Sequence, residues 1–162
     1  MAAIYLPPWR IDVSTRPGVA SPVPIRALAR LAARALSVVG APPPASLALI
    51  LSDDTELATL NEQHMGHEGP TDVLSFPMLT PGFALPPGRR PHLGDIVISI
   101  ERAAEQASEG RGGQTSDMEW SAADELRLLV VHGVLHVCGH DHAEPGENEK
   151  MRALEKRILA GQ

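Results

Sequence analysis

The chain has 162 residues, a length that suits one domain around one core. Hydrophobic residues make up 43% and charged residues 21%, the balance of an ordinary globular protein, and aromatics are only 3%, so the core must be aliphatic. The formal charge of −6, from 20 acidic and 14 basic residues, argues against a protein that coats nucleic acid by bulk electrostatics and leaves room for a local basic patch. Such a patch would be arginine, because Lys150 and Lys156 are the only lysines. A single cysteine, Cys138, excludes an intrachain disulfide and fits a reducing compartment. The N-terminal stretch has no basic start followed by an apolar run, so no signal peptide is expected. Leu126 to Cys138 is too short and too interrupted to span a bilayer, and the expected location is the cytoplasm.

In chain order, Ala3 to Val13 reads as one strand interrupted at Pro7-Pro8. Pro24 suits a first helical turn, after which Ile25, Leu28, Leu31, Ala32, Ala35, Leu36 and Val39 recur at helical spacing until Gly40. Arg26, Arg30 and Arg34 line the other side of that helix at i, i+4 and i+8. A stiff Ala41-Pro-Pro-Pro44 connector leads into an apolar strand, Ser46 to Leu51. Ser52 or Asp53 caps a second helix running to about Met65, with Leu57 and Leu60 inward. Gly66 to Pro70 is a loop, Val73 to Phe76 a strand, and the Pro/Gly-rich Pro77 to Pro91 a surface loop. Gly94 to Ser99 is a further strand, followed by a helix over Glu101 to Glu109 that Gly110 to Gly113 breaks. Ser116-Asp-Met-Glu119 has the capping-box pattern and predicts the start of a long helix reaching Cys138. A last amphipathic helix spans Glu147 to Leu159. There is no internal repeat and no second-domain boundary. The expected fold is a single α+β domain over residues 1–162, a small mixed sheet packed with about five helices.

Four of the seven histidines fall between His132 and His142. His132 and His136 are four residues apart, which on a helix leaves them about 40° apart around the axis and one turn apart along it. Both imidazoles can therefore meet one ion. Gly139 tolerates the left-handed conformation that ends a helix, and His142 can return from the turned segment as a third ligand. Three protein ligands with an open fourth position define a catalytic rather than a structural zinc site. Cys138 lies about 200° around the helix from His136, which makes it a buried small residue rather than a fourth ligand. His140 and Asp141 either orient a ligand imidazole or lie in an exposed loop. The spacing matches the metzincin pattern H-E-x-x-H-x-x-G-x-x-H except that Gly133 stands where the catalytic glutamate belongs. Peptide hydrolysis therefore ranks second among the readings.

His132-Gly-Val-Leu-His136-Val-Cys-Gly139-His-Asp141-His142 resembles the H-G-x-L-H-x-x-G-Y-D-H signature of the YbeY endoribonuclease family. Leu60-Asn61, Pro70 to Pro77 and Leu93 to Ser99 agree with it in order and spacing, so the resemblance covers the chain from about Ala45 onward. It implies a zinc-dependent endoribonuclease specific for single strands. The implied role is maturation of ribosomal RNA, notably the small-subunit 3′ end, and ribosome quality control, in contact with the small subunit. His132, His136 and His142 carry over as the ligands of one zinc ion, with His132, His140 and Asp141 as candidates for the catalytic chemistry. The family arginine before Pro-Thr-Asp is Met65 here, and the family tyrosine before Asp-His is His140. Either another cation then meets the phosphate (Arg89 and Arg90, or the Arg26, Arg30 and Arg34 row, if these are not simply solvated faces), or activity is reduced, or the substrate differs. Ser75, with Thr71 and Asp72, is expected to shape the cleft, although turn and capping roles explain Thr71 and Asp72 equally well. A ribosome assembly factor whose zinc is mainly structural is the third reading.

Overall fold

The computed structural model describes residues 1–79, 89–109, 120–140 and 144–161. Its first two strands, β1 (Ala2–Leu6) and β2 (Trp9–Thr15), form an antiparallel hairpin in which Leu6 pairs with Trp9. The expectation of one interrupted strand is corrected here. Two adjacent prolines offer no N–H to a ladder, and the chain reverses across them. Helix α1 (Ile25–Val38) then crosses over to β3 (Ala45–Ser52), which lies parallel to β2. Helix α2 (Asp54–Met65) leads to β4 (Val73–Pro77), and β5 (His92–Ser99) runs antiparallel to β4 and parallel to β3. The mixed sheet has the order β1-β2-β3-β5-β4. Among the described residues three helices follow: α3 (Ile100–Ser108), α4 (Ala122–Val137) and α5 (Pro145–Ala160). The fold is α+β, as the pattern of elements implied.

Period-two alternation sorts the strands onto two faces. Ile11 and Val13 of β2, Leu47, Leu49 and Leu51 of β3, and Ile96 and Ile98 of β5 share one core with Leu28 and Leu36 of α1, Leu126 and Val130 of α4, and Ile158 of α5. The intervening Ile50 and Val97 point the other way and join Leu57, Leu74 and Phe76 in a smaller cluster under α2. Each fully buried Leu or Ile contributes about 1.5–3 kcal/mol, so the larger core dominates stability. It also fixes α4 against β5.

Local chemistry sets the helix ends. Asp53 is the cap of α2, its carboxylate accepting from Glu56 N at 2.9 Å, and Gly66 ends that helix at φ 69°. Arg34 donates through Nε to Ile158 O at 3.0 Å, satisfying a carbonyl at the end of α5. The start of α4 differs from expectation. Ser116 and Glu119 lie outside the described residues, while Ser121 is the cap, its Oγ accepting from Asp124 N as Asp124 accepts from Ser121 N. Trp120 does not belong to the helix; its indole N–H folds back onto Glu125 Oε2 at 2.8 Å. The segment Gly110 to Gly113 and most of the Pro77 to Pro91 segment (residues 80–88) also lie outside the described residues.

Candidate metal centre

Helix α4 carries two of the expected ligands and ends where the glycine dictates. Gly139 has φ 95°, Gly139 N donates to His136 O at 3.0 Å, and His140 N donates to Leu135 O at 2.9 Å. This paired closure is the Schellman arrangement, and a left-handed C′ residue is what it requires. The spacing argument for His132 and His136 holds in three dimensions. Their Nε2 atoms are 3.0 Å apart, with ring centroids 4.5 Å apart. Two nitrogens bound to one tetrahedral zinc at about 2.0–2.1 Å stand roughly 3.3 Å apart, so this pair suits a shared ion with a shift of a few tenths of an ångström. Among the described residues no group of three His, Cys, Asp or Glu donors gathers there. His142 and Asp141 lie outside the described residues.

Both imidazoles open on a cleft of about 360 Å³ between α4, β4 and the end of α2. Its wall includes Met65, Thr71, Asp72, Ser75 and Pro77, and among its described lining residues there is no lysine or arginine. Ser75 Oγ donates to Gly133 O at 3.3 Å and so ties β4 to α4 between the two histidines. Asp72 accepts from Val73 N at 2.8 Å, holding the entry to β4.

Gly133 explains the missing protease base. A Cβ on this residue would stand 2.6 Å from Ile96 Cγ2, inside the core. The position faces the sheet and not the cleft, so a carboxylate there could not reach a substrate. Cys138 packs against the same core, and burial pushes its thiol up to about 11, which suits an apolar filler rather than a ligand. His140 is half-buried beyond the helix end, its amide committed to the closure already described.

The arginines are elsewhere. Arg26 and Arg30 are exposed on α1, and Arg34 caps α5. Arg90 is exposed and donates to Pro8 O at 3.2 Å, and Arg89 is exposed beside it. Arg30 and Arg34 line a groove with Pro7 and Pro8 at the β1–β2 edge, whereas the cleft sits at the β4 edge. One residue at the centre was not anticipated from the sequence. Glu155 of α5 places Oε1 2.8 Å from His132 Nδ1. The available signal was a carboxylate on the same face as Met151, Leu154 and Ile158.

Fold and site together define an α+β protein with a pair of helical histidines aimed into a cleft. The sequence model of the family described as Endoribonuclease YbeY matches residues 21–161. The chain belongs to this YbeY family. Endoribonuclease YbeY of Thermobifida fusca is 44% identical over 156 residues, covering 93% of this chain and 92% of the relative. Endoribonuclease YbeY of Salinispora tropica is 45% identical over 141 residues, covering 83% and 85%. The solution structure of a Thermotoga maritima protein shares the fold, with a TM-score of 0.57 at 22% identity over 93% of this chain and 90% of that one. Among the described residues no helix is long and apolar enough to cross a membrane.

Proposed function

We propose that this chain is a zinc-dependent endoribonuclease that cuts single-stranded RNA, with ribosomal RNA on the small subunit as its substrate and maturation and quality control of ribosomes as its role. The cytoplasm is where it would meet that substrate. The observation that carries the reading is the 3.0 Å approach of His132 Nε2 and His136 Nε2 at the cleft, in a chain of the YbeY family.

His132 and His136 would hold the ion, with His142 as the third ligand that the sequence motif implies. When bound, the ion supplies Lewis acidity and a concentrated positive charge beside the scissile phosphate. That charge matters here because no arginine or lysine is among the described residues lining the cleft. Ser75 Oγ, whose proton goes to Gly133 O, would accept from a ribose hydroxyl and, with Thr71 beside it on the cleft wall, orient the strand. Met65 and Pro77 present apolar surface to a base and exclude water. His140 and Asp141, next to His142 in sequence, are the candidates to move the proton. Arg26, Arg30, Arg89 and Arg90 contact phosphates of the strand beyond the cleft, by charge rather than by sequence. The peptidase reading loses its base, since Gly133 is closed off by Ile96.

The test is to incubate zinc-loaded protein with labelled single-stranded RNA and, separately, with casein, with and without a chelator, beside His132→Ala. Cleavage of RNA that vanishes in both controls is expected. Cleavage of casein instead, or of neither polymer, overturns the reading.

A further inference from the structure

Glu155 sits where a charge is costly. Met151, Leu154 and Ile158 of α5 pack into the main core, and Glu155 shares their face, with a side chain only 12% exposed. A carboxylate is kept in such a place only if something compensates its lost hydration. The compensation is His132, whose Nδ1 stands 2.8 Å from Glu155 Oε1, while the other nitrogen of the same ring is the one aimed at His136. We propose that Glu155 is a positioning residue: it holds the proton of His132 on Nδ1 and locks the ring, so that the Nε2 lone pair faces the cleft. The inference rests on the metal-centred reading above and extends it to a second helix.

The physical case is direct. A neutral imidazole carries one proton, and the hydrogen bond made by one nitrogen decides what the other presents. An anionic oxygen can only accept, so it selects the tautomer with N–H at Nδ1. Without it, the His132 proton could sit on Nε2, where the N–H would block the coordination point, and one restraint on the orientation of the ring would be lost. Outer carboxylates of this kind typically change metal affinity by about 10- to 100-fold when removed. A plain helix-to-helix tether would need no particular tautomer, and this is what distinguishes the two roles.

The experiment compares wild type, Glu155→Gln and Glu155→Ala by two readouts. The first is zinc affinity by competition with a chromophoric chelator. The second is the His132 tautomer in metal-free protein, from imidazole ¹⁵N shifts assigned against His132→Ala. Zinc affinity is expected to fall about 10- to 100-fold in Glu155→Ala, and less in Glu155→Gln, which keeps an acceptor of the same size. In wild type the His132 proton is expected on Nδ1, shifting toward Nε2 in Glu155→Ala. Unchanged affinity together with an unchanged tautomer overturns the proposal. If Glu155→Ala fails to fold, Glu155→Gln decides: affinity and tautomer both equal to wild type overturn it, and a loss in affinity supports it. Wild type that binds no zinc would sink the functional reading, while the tautomer of the metal-free chain would still decide the role of Glu155.

Discussion

Gly133 of α4 rests directly on Ile96 of β5: a methyl group added to the glycine would stand 2.6 Å from Ile96 Cγ2 and 3.1 Å from its Cδ1. Ile96 is fully buried, and its Cγ2 is a branch at Cβ that cannot swing aside without moving the whole side chain. Gly133→Ala should therefore destabilise the fold by about 1–3 kcal/mol, the usual cost of overpacking, despite alanine's better helix propensity. Combining it with Ile96→Ala should cost less than the sum of the two single changes, because the pair shares one space. Urea denaturation of the three variants measures this. Strict additivity would show that the contact does not limit how closely helix and sheet approach.

The thiol of Cys138 should be inert in the native state. With burial lifting it to about 11, only about one molecule in a thousand is thiolate at pH 8, against roughly a quarter for a free cysteine. Alkylation by iodoacetamide is expected to be about two orders of magnitude slower than for the unfolded chain. Reaction at the free-thiol rate would contradict the burial. Cys138→Ala should keep the full metal content, which separates a filler from a ligand.

These residues show what the sequence carried and what it did not. The His132/His136 pair and the Gly139 ending were legible because both depend on spacing within one helix. The strands β3 and β5 were legible as apolar runs, but the alternation that splits them between two cores was not, because apolar residues stand on both faces of each run. The hairpin was not, since a two-residue proline turn and a broken strand look alike until a pairing partner is known. Nor was the true start of α4: Ser116/Glu119 and Ser121/Asp124 carry similar capping chemistry, and the Trp120–Glu125 contact belongs to the second. Glu155 lies 23 positions from His132, so no local pattern could join them. The arginines were chosen by charge alone, and charge does not reveal that Arg34 is spent on the end of α5.

Acid should weaken the N-terminus of α4. Asp124 is held below its ordinary 3.8, first by the Ser121 backbone N–H and then by the Ser121 hydroxyl and Arg127. A carboxyl whose folded value is lowered stabilises the fold fully above its unfolded value, and that contribution is lost as pH falls from 3.8 through the lower folded value. Asp124→Asn should be less stable than wild type at neutral pH and show a shallower loss below pH 3.8. Thermal melts across that window test it. Parallel curves for the two proteins would mean that the capping carboxylate carries no acid sensitivity.

Met65 lines the cleft and is 45% exposed, so a longer cation can be placed there without disturbing the core. Met65→Arg should tighten binding of single-stranded RNA and steepen its salt dependence by about 0.7 in the log–log slope, the signature of one added phosphate contact. Fluorescence anisotropy at several salt concentrations gives both quantities. A slope unchanged from wild type would place the RNA backbone away from this wall.

The most direct test of the site is the metal content of purified protein, read by native mass spectrometry after supplying zinc. One ion per chain in wild type, and none in His132→Ala or His136→Ala, is the expected result. A full complement of zinc in either variant would contradict a centre built on these two imidazoles.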